Sequence, residues 1–445
     1  MWIPARPLVP FLVAALLATA CTGNNPTPPL VVVAGWSWDP DLAGDRPLPV
    51  IWSGSSTPAL LPLLTGGDCP ASGSVQAMAV VNGVATLAGI STRCSGADQA
   101  TMLPAIWSAV ATGTFAVQGL RLPDRSIQGT ALAVATQDTN TFVGGAVGVE
   151  SPYPMVWKNG NPALAVSGTV LPDGFDSGIV TSIQPGENFV VAGGILHVTG
   201  SSPPAFAGVL WILDPDFTSV IPHLIPVPAE AAGATFGSSV GVEIVGTTIL
   251  SVSTLTTGAG VDKPVVWSDD VPLPLAGLDF TTGPYGAATA FWLIGGIPYV
   301  SGYVRPFPPG KFPAPTIWAG SAMQRLSTAD PALGWGAAEA LAIRFEHAYV
   351  AGETYRNVPS GGPLLSVPAW WDNGSRHDLA GLVPSGAGPA VSQPLFGWWR
   401  VPGTPMTSPP DWPYVGGFAE VDAAPAAVAA AGSGVAKVIG LVPKK

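Results

Sequence analysis

The chain is poor in charge. Lys, Arg, Asp and Glu together make up 10% of its 445 residues, against about a quarter in an average globular protein. Acidic residues outnumber basic ones, so the formal net charge is −11, and no run of more than two Lys or Arg residues occurs. Nucleic acids and anionic lipids are bound chiefly by clustered positive charge, so we do not expect either as a partner.

Long apolar runs are also missing from most of the chain. After the first twenty residues, no stretch approaches the roughly 18 uninterrupted apolar residues of a membrane-spanning helix. We therefore expect the rest of the chain to lie outside the bilayer. A disordered chain is not expected either, because disorder needs high charge and low hydrophobicity.

The N-terminus carries one strongly apolar segment. Arg6 precedes residues 8–20, an apolar run of 13 residues that is too short to span a bilayer. Leu17-Ala18-Thr19-Ala20-Cys21 then resembles the lipobox of bacterial lipoprotein signal peptides, which implies cleavage before Cys21 and a lipid on this residue. An ordinary secretory signal that happens to end at a cysteine is the alternative.

The segment after Cys21 has the composition of a tether. Residues 22–29 are Thr-Gly-Asn-Asn-Pro-Thr-Pro-Pro, and Pro-rich linkers reach about 3.1 Å per residue, or some 25 Å here. We predict a signal peptide over 1–20, a lipidated cysteine and tether over 21–30, and a single domain over 31–445. The expected location is the bacterial cell envelope, with the lipid holding the protein at the outer membrane or the cell surface.

Cysteine is scarce as well. The chain has three cysteines, and if Cys21 carries lipid then Cys69 and Cys94 remain as an even pair. Disulfides form by default in exported proteins, so the count predicts a bond between Cys69 and Cys94.

Tryptophan, in contrast, is abundant and regularly spaced. Seven of the sixteen tryptophans recur every 50 to 56 residues, most of them in the pattern Pro-x-x-Trp. A fixed period of about 50 residues built from short apolar runs indicates a repeat architecture. The seven are Trp52, Trp107, Trp157, Trp211, Trp267, Trp318 and Trp371.

A second pattern alternates with the tryptophans. Short β-branched or aromatic runs end in Val-Ala-Gly or a variant of it at 33–35, 87–89, 143–145, 191–193, 300–302, 350–352 and 415–417, with a degenerate copy at 249–252. This makes eight units, and Val428 takes the tryptophan position in the last. Turn residues such as Asn82-Gly83 divide each unit into three or four strands.

These units predict an all-β chain folded as a β-propeller. We expect eight blades, with seven as the alternative if residues 422–445 do not form a blade of their own. The tryptophans are then structural and fill the space between neighbouring blades. Small pairs such as Ala131 and Ala133 suit the strand nearest the axis, but the Val-Ala-Gly strand is a second candidate for that position.

The connections differ in length in a regular way. Those inside the first hairpin and after the tryptophan strand are short, whereas those after the Val-Ala-Gly strand (303–314 and 353–367, for example) and between units are long. Alternate connections of an antiparallel meander lie at the same end of the sheet, so all the long loops share one face. That face is the expected binding surface. Cys69 and Cys94 both fall in long loops of consecutive units, which supports the disulfide independently.

The repeat has a family resemblance. Pro154-Met-Val-Trp-Lys-Asn-Gly160, followed by Ala163-Leu164, resembles the HAF-type repeats of bacterial extracellular proteins, and Pro315-Thr-Ile-Trp318 with Leu326 is a second match. The His-Ala-Phe motif that names those repeats is absent. Gly doublets at 144–145, 193–194 and 416–417 are similar to those of kelch blades. The resemblance implies an exported propeller and no particular activity.

No motif of catalytic chemistry is convincing. Gly237-Ser-Ser-Val-Gly241 has the spelling of a nucleophile elbow, which requires a strand-to-helix turn, but it opens a repeat strand here and is attributed to chance. The histidines are isolated, and we expect each to be solvated, with the first in a long loop. They are His197, His223, His347 and His377.

The first long loop offers a candidate calcium site. Asp39, Asp41 and Asp45 alternate in the first long loop, as hard oxygen ligands of Ca²⁺ do. The spacing is not that of an EF-hand, and no bidentate Glu follows. A solvated acidic loop is therefore favoured, and no other cofactor is expected.

Three functions fit this description. The favoured one is a binding module that holds an envelope protein or a glycan through its long-loop face. Aromatic residues in or beside the long loops support it: Trp36, Trp38, Tyr153, Tyr285, Tyr303, Phe307, Trp335 and Tyr355. A propeller enzyme, a glycan hydrolase or lyase, would need paired carboxylates or a histidine and an acid at the axis. A structural envelope component is the third. No catalytic residue is named.

Overall fold

A computed structural model of the chain shows seven four-stranded antiparallel sheets around a common axis, which is a seven-bladed β-propeller. The structure describes residues 30–38, 47–53, 58–64, 72–81, 84–94, 100–111, 114–123, 128–148, 151–162, 171–202, 204–214, 216–258, 261–275, 285–294, 297–305, 313–320, 322–344, 347–356, 365–379 and 434–442. The all-β propeller predicted from the sequence is confirmed.

Strands are numbered in chain order. Blade 1 contains β1 (Leu30–Trp38), β2 (Pro47–Ser53) and β3 (Ala59–Leu60). Blade 2 contains β4 (Gly73–Val81), β5 (Val84–Cys94), β6 (Ala100–Ala111) and β7 (Thr114–Gly119). Blade 3 contains β8 (Gly129–Gln137), β9 (Asn140–Val147), β10 (Tyr153–Lys158) and β11 (Asn161–Pro162). Blade 4 contains β12 (Phe175–Pro185), β13 (Val190–Val198), β14 (Phe206–Leu213) and β15 (Val220–Leu224).

The second half of the chain repeats this plan. A single turn of 3-10 helix, Ala229–Ala231, precedes blade 5. Blade 5 contains β16 (Thr235–Val245), β17 (Thr248–Thr256), β18 (Asp262–Ser268) and β19 (Val271–Pro274). Blade 6 contains β20 (Tyr285–Ile294), β21 (Ile297–Arg305), β22 (Ala314–Ala319) and β23 (Ala322–Arg325). Blade 7 contains β24 (Gly336–Arg344), β25 (His347–Arg356), β26 (Leu365–Asp372) and β27 (Ser375–Asp378). The last strand is β28 (Gly434–Val442).

The two ends of the chain close the ring. β28 pairs antiparallel with β1 and completes blade 1 in the order β28-β1-β2-β3. The favoured count of eight blades is therefore wrong, and the alternative of seven is correct. The reason is that the last strand supplies the missing inner strand of blade 1 and does not start a new blade. The degenerate tryptophan position at Val428 and the repeat at 415–417 lie outside the described residues.

The structure also settles which strand is innermost. The first strands of successive blades contact one another around the ring, from β4 through β8 and onward to β28 and back to β4. The strand with small residues, such as Ala131 and Ala133 in β8, is thus nearest the axis. The Val-Ala-Gly strand is second and the tryptophan strand is third, as β9 and β10 illustrate.

Each of the seven repeat tryptophans fills the junction with the preceding blade. Trp211 of blade 4 packs in one cluster with Phe142 and Val156 of blade 3. Trp52 of blade 1 packs with Tyr349 of blade 7, which closes the ring. All seven rings are at most 1% exposed. Each ring removes about 150–250 Å² from water, which contributes on the order of 4–6 kcal/mol at about 25 cal/mol per Å². The structural role predicted for these residues is confirmed.

The buried indole N–H groups bind the preceding blade as well. Four of them donate to carbonyl oxygens in the chain segment that leaves that blade, at 2.6 to 3.1 Å. These bonds run from Trp107 to Pro62, from Trp157 to Arg121, from Trp267 to Pro226 and from Trp371 to Ser327. A tryptophan satisfies both requirements, because it is large and apolar and carries one donor that a buried site must pair.

A bulge explains the glycine of the Val-Ala-Gly strand. The innermost strand of every blade has a register shift at the same level, between Ala131 and Ala133 in blade 3 for example. The shift brings an inner-strand carbonyl against the second strand. A Cβ on Gly145 would lie only 1.9 Å from the carbonyl oxygen of Thr130. The glycine is therefore required by a close backbone approach.

The connections divide between the two faces of the disc as the sequence predicted. Links from first to second strand and from third to fourth, such as 138–139 and 159–160, lie at one end of the sheets, which we call the short-turn face. Links from second to third strand and between blades lie at the other end, the long-loop face. Among the described residues, no helix is long and apolar enough to cross a membrane.

Replacing a junction tryptophan should weaken the whole ring. We expect Trp157→Ala to lower the free energy of unfolding by about 3–5 kcal/mol, because it removes a fully buried ring and leaves a cavity. Urea denaturation followed by circular dichroism measures this. Trp292→Ala is the matched control, since Trp292 is 39% exposed, and it should cost about 1 kcal/mol or less. Equal losses for the two variants would contradict the role of the junctions.

The glycine beside the bulge gives a second prediction. Gly145→Ala should destabilise the protein by at least about 2 kcal/mol, because its Cβ would collide with backbone that cannot rotate away. Gly258→Ala is the control, since a Cβ there meets nothing within 4 Å. Thermal unfolding of both variants decides the matter, and an unchanged midpoint for Gly145→Ala would refute the close approach.

Candidate functional site

The second strands differ from blade to blade where they reach the long-loop face. Two positions are equivalent in every blade: the residue paired with the Pro (or Gly208) of the Pro-x-x-Trp pattern, and the residue two places later. In blades 2 to 4 they hold Ile90 and Thr92, Ala146 and Gly148, and Ile195 and His197. In blades 5 to 7 they hold Thr254 and Thr256, Tyr303 and Arg305, and Glu353 and Tyr355. In blade 1 they hold Trp36 and Trp38. Large polar and aromatic side chains thus concentrate on three consecutive blades of the ring, blades 6, 7 and 1. We call the blade 5–7 positions, with Asp262 and Trp335, the polar arc.

Blade 7 holds a buried carboxylate in a fixed orientation. Glu353 is 6% exposed and Tyr355 is 3% exposed. The Tyr355 hydroxyl donates a 2.8 Å hydrogen bond to Oε1 of Glu353. The Tyr355 ring stacks on the Trp335 ring with centroids 4.3 Å apart, and its backbone N–H donates to the Trp335 carbonyl at 3.0 Å. The carboxylate is held by a phenol that is itself held by an indole.

Blade 6 supplies the cation of the polar arc. Tyr303 and Arg305 lie two residues apart on β21, and the guanidinium carbon of Arg305 is 5.7 Å from the centre of the Tyr303 ring. Such contacts contribute about 0.5–1 kcal/mol at exposed sites and about 2 kcal/mol where the pair is desolvated, and Tyr303 is 8% exposed. Tyr303 also packs against Ala337, which is the register partner of Glu353. The blade 6 and blade 7 parts of the arc are therefore adjacent.

Blade 5 adds a second acid. Asp262 begins β18, and the Thr256 hydroxyl donates a 2.7 Å hydrogen bond to its carboxylate. Burial raises the pKa of Asp262, while this hydrogen bond and the nearby charge of Arg305 lower it, burial being the largest effect. The charge of the Arg305 guanidinium therefore acts on the Asp262 carboxylate. This electrostatic interaction connects blade 5 to blade 6.

The polar arc therefore combines aromatic rings, a guanidinium and two acids on one face. Aromatic rings pack against apolar faces of a ligand, and a planar guanidinium donates two parallel hydrogen bonds. Carboxylates accept hydrogen bonds from hydroxyl and amide groups. A ligand rich in hydroxyls with an apolar face suits this set.

Several residues predicted from the sequence lie outside the described part of the chain. These are Cys21, Cys69, and the acidic residues Asp39, Asp41 and Asp45. Cys94 ends β5 at the long-loop face. The disulfide and the calcium site both stay predictions. The described residues contain no group of three metal-binding side chains.

One expectation about the histidines is wrong. His197 is not in a long loop, because β13 continues through it and pairs it with Phe206. Its Nδ1 is 2.8 Å from the Asp176 carboxylate, and hydrogen bonds from Ser177 and His197 lower the pKa of Asp176. The remaining two described side chains are at the surface: His223 Nε2 is 2.7 Å from Asp270, and His377 stacks on Trp370.

The nucleophile-elbow spelling has no catalytic geometry. Residues 237–241 lie within the inner strand β16, which continues to Val245 without entering a helix. The residues of the polar arc were found only in part from the sequence. Tyr303, Trp335 and Tyr355 were noted as aromatic, but Asp262, Arg305 and Glu353 were not singled out. Aligning the units on the Pro of Pro-x-x-Trp would have found the last two, because no other blade carries a carboxylate or a guanidinium at these positions.

The carboxyl group with the largest pKa shift among the described residues lies outside the polar arc. Burial raises the pKa of Glu243 to about 7. Glu243 is on β16, two residues before the turn at the short-turn face, so it is separate from the polar arc. Burial is the only cause of this pKa shift. The shift therefore affects the stability of the fold and does not by itself indicate a functional site.

Comparisons with known proteins do not show a family for this chain. No protein-family model matches the chain, and no curated protein matches it. The HAF-type and kelch resemblances therefore stay predictions. Trypanosoma rangeli sialidase in complex with the inhibitor DANA is 10% identical over 72% of this chain and 55% of that chain, with a TM-score of 0.42. Bombyx mori GH32 β-fructofuranosidase BmSUC1 is 10% identical over 70% of this chain and 81% of that chain, with a TM-score of 0.29.

A third likeness is with a mutant of the α-L-arabinanase of Cellvibrio cellulosa. It is 9% identical over 55% of this chain and 93% of that chain, with a TM-score of 0.30. This chain spans about half the length of the sialidase chains it matches. At these identities and TM-scores, no residue role or activity is carried over to this chain.

The shifted pKa of Glu243 makes stability depend on pH. The folded state holds the proton up to about pH 7, whereas the unfolded chain releases it near 4.5. The stabilisation is therefore full below the unfolded pKa and is lost as pH rises through 7, a change of at most about 3 kcal/mol. We expect Glu243→Gln to reduce the slope of unfolding free energy between these limits, as measured by urea titrations at several pH values. Glu187→Gln, at an exposed turn, is the control. Equal slopes in the two variants would contradict the assignment of this pH dependence to Glu243.

Proposed function

We propose that this protein is an exported, lipid-anchored β-propeller that binds a glycan through the polar arc of its long-loop face. One observation carries the proposal. At two equivalent positions of the second strands, blades 6 and 7 hold Tyr303, Arg305, Glu353 and Tyr355 and the next blade, blade 1, holds Trp36 and Trp38, whereas blades 2 to 4 hold mostly apolar or small residues. The repeat pattern is broken on one side of the ring, at the face with the long loops. Such a local departure from the pattern indicates a binding site on that side.

The side chains favour a glycan. Sugar rings have an apolar C–H face that packs on aromatic rings and hydroxyl groups that bond to carboxylate and guanidinium groups. The Trp335–Tyr355 stack and the Tyr303–Arg305 pair contain both kinds of group. The three rings are largely buried, at 3% to 8% exposed, so a ligand would meet only their exposed edges. The acidic net charge, −11, disfavours a nucleic acid. An envelope protein is the alternative ligand.

The N-terminal segment supports the location. The lipobox-like sequence before Cys21 and the Pro-rich residues after it suit a protein fastened to a bacterial membrane by lipid. In this proposal residues 1–20 are removed, residues 21–30 are the tether, and residues 31–445 form the propeller. The Cys69–Cys94 disulfide would fasten two consecutive blades on the face that binds the ligand.

A second function is favoured by the blade 7 pair. A buried carboxylate that accepts a hydrogen bond from a tyrosine hydroxyl can serve as one member of the carboxyl pair that glycan hydrolysis uses. Hydrolysis would make the polar arc an active site. A purely structural envelope component would instead leave every substitution in the arc without effect.

Binding of envelope glycans to variants tests the proposal. The probes are a glycan array and purified envelope polysaccharides, applied to the mature chain. We expect Arg305→Ala to weaken binding by about 10- to 100-fold, the effect of one charged hydrogen-bonding group. Arg93→Ala is the matched control, because Arg93 is an exposed arginine at the long-loop end of β5, and its affinity should be unchanged.

Other outcomes separate the alternatives. If the protein releases sugar from the polysaccharide and Glu353→Gln abolishes this release, the protein is a hydrolase. If the protein retains no glycan but captures an envelope protein, and Arg305→Ala abolishes the capture, the ligand is a protein. Equal binding by both arginine variants would contradict the polar arc as the site.

A further inference from the structure

The chain enters the propeller at the short-turn face. β1 is the second strand of blade 1, and second strands run from the short-turn face to the long-loop face. Its first residue, Leu30, is therefore at the short-turn face, and its last, Trp38, leads into a long connection on the opposite face. The tether over residues 22–29 consequently joins the disc on the face away from the polar arc.

The length of the tether limits where the membrane can lie. Eight Pro-rich residues reach some 25 Å. An inner strand such as β4 has nine residues, so the disc is about 30 Å thick between its two faces. A tether that starts at the short-turn face is too short to pass the disc and hold the long-loop face against a membrane.

Exposed apolar side chains concentrate on this same face. Single exposed hydrophobic residues are ordinary, but their concentration on one face is not. Nine of the thirteen exposed large hydrophobic residues in the described part of the chain lie at or beside the short turns. They are Val81, Val84, Val110, Ile221, Val245, Val271, Trp292, Ile297 and Met323. Leu60, Leu224, Val227 and Leu273 lie elsewhere.

These residues come from opposite sides of the disc. Val81 and Val84 flank the tight turn of blade 2, while Trp292 and Ile297 lie at the corresponding turn of blade 6. Contacts on both sides of the axis would hold the disc level on a flat surface. Tryptophan is enriched where proteins meet the interface between lipid headgroups and acyl chains.

The charges of this face define the kind of lipid. Turns of blades 3 to 5 carry exposed acids, among them Asp138, Glu187, Asp269 and Asp270. Anionic lipids would be repelled by these groups, whereas zwitterionic headgroups would not. The occupant that fits is therefore a zwitterionic lipid surface.

We propose that the short-turn face lies against the zwitterionic surface of the membrane that carries the lipid on Cys21, so that the long-loop face points away from it. This rests on the lipid anchor of the proposed function and does not depend on the ligand. The polar arc is then presented to ligands at the end of the disc that the membrane leaves open.

Lipid-dependent quenching tests this arrangement. Val84→Cys and Asp173→Cys each receive an environment-sensitive dye in the full lipidated chain, and the parent chain gives the background from its own cysteines. Val84 is at the short-turn face, and Asp173 is an exposed residue of the long connection between blades 3 and 4. The chains are reconstituted in phosphatidylcholine vesicles that contain spin-labelled lipid. We expect several-fold stronger quenching at position 84 than at position 173, and weaker quenching at 84 when phosphatidylglycerol is included.

Mass spectrometry of the N-terminal peptide distinguishes two kinds of failure. If Cys21 carries lipid and the dye at 84 is quenched no more than the dye at 173, the orientation is wrong while the anchor stands. If Cys21 carries no lipid, the anchor is wrong and the orientation falls with it. Lipid on Cys21 with selective quenching at 84 supports both.

Discussion

The propeller depends on the contact between a buried tryptophan and the blade before it. Each blade is a small sheet that could not hold an apolar face out of water alone. The indole fills the wedge between two sheets, and at four junctions its N–H donates to the segment that leaves the earlier blade, as Trp157 does with Arg121. Because every junction uses the same ring, the seven blades take the same tilt. The last junction, Trp52 against blade 7, then needs the inner strand β28 from the other end of the chain.

That dependence explains what the sequence predicted. The tryptophan period follows directly from one ring per blade, so the fold class, the structural role of the rings and the separation of short turns from long loops were all predictable. The number of blades was not. Pairing of β28 with β1 joins residues about 400 apart and has no local pattern, so the C-terminal segment was assigned to an eighth blade. The innermost strand was ambiguous for another reason: Ala131 and Gly145 are both small, since the bulge crowds both strands.

The candidate site was harder to predict because it departs from the repeat. Arg305, Glu353 and Asp262 are distant in sequence and have no motif of their own. They come together because equivalent positions of neighbouring blades are neighbours in space. His197 was misplaced for a related reason, since nothing in its sequence shows that β13 extends to Val198. In our proposal, the rigid ring presents fixed groups to a ligand on one face, and its short-turn face contacts the membrane.

The most direct measurement of the central claim is hydrogen exchange of the mature protein with and without purified envelope polysaccharide. A ligand at the polar arc should slow exchange of amides at the long-loop ends of blades 5 to 7, in residues 254–256, 303–305 and 353–356. The equivalent ends of blades 2 to 4 and the short-turn face should not change. Protection confined to another region, or spread evenly around the ring, would contradict the assignment of the polar arc as the binding site.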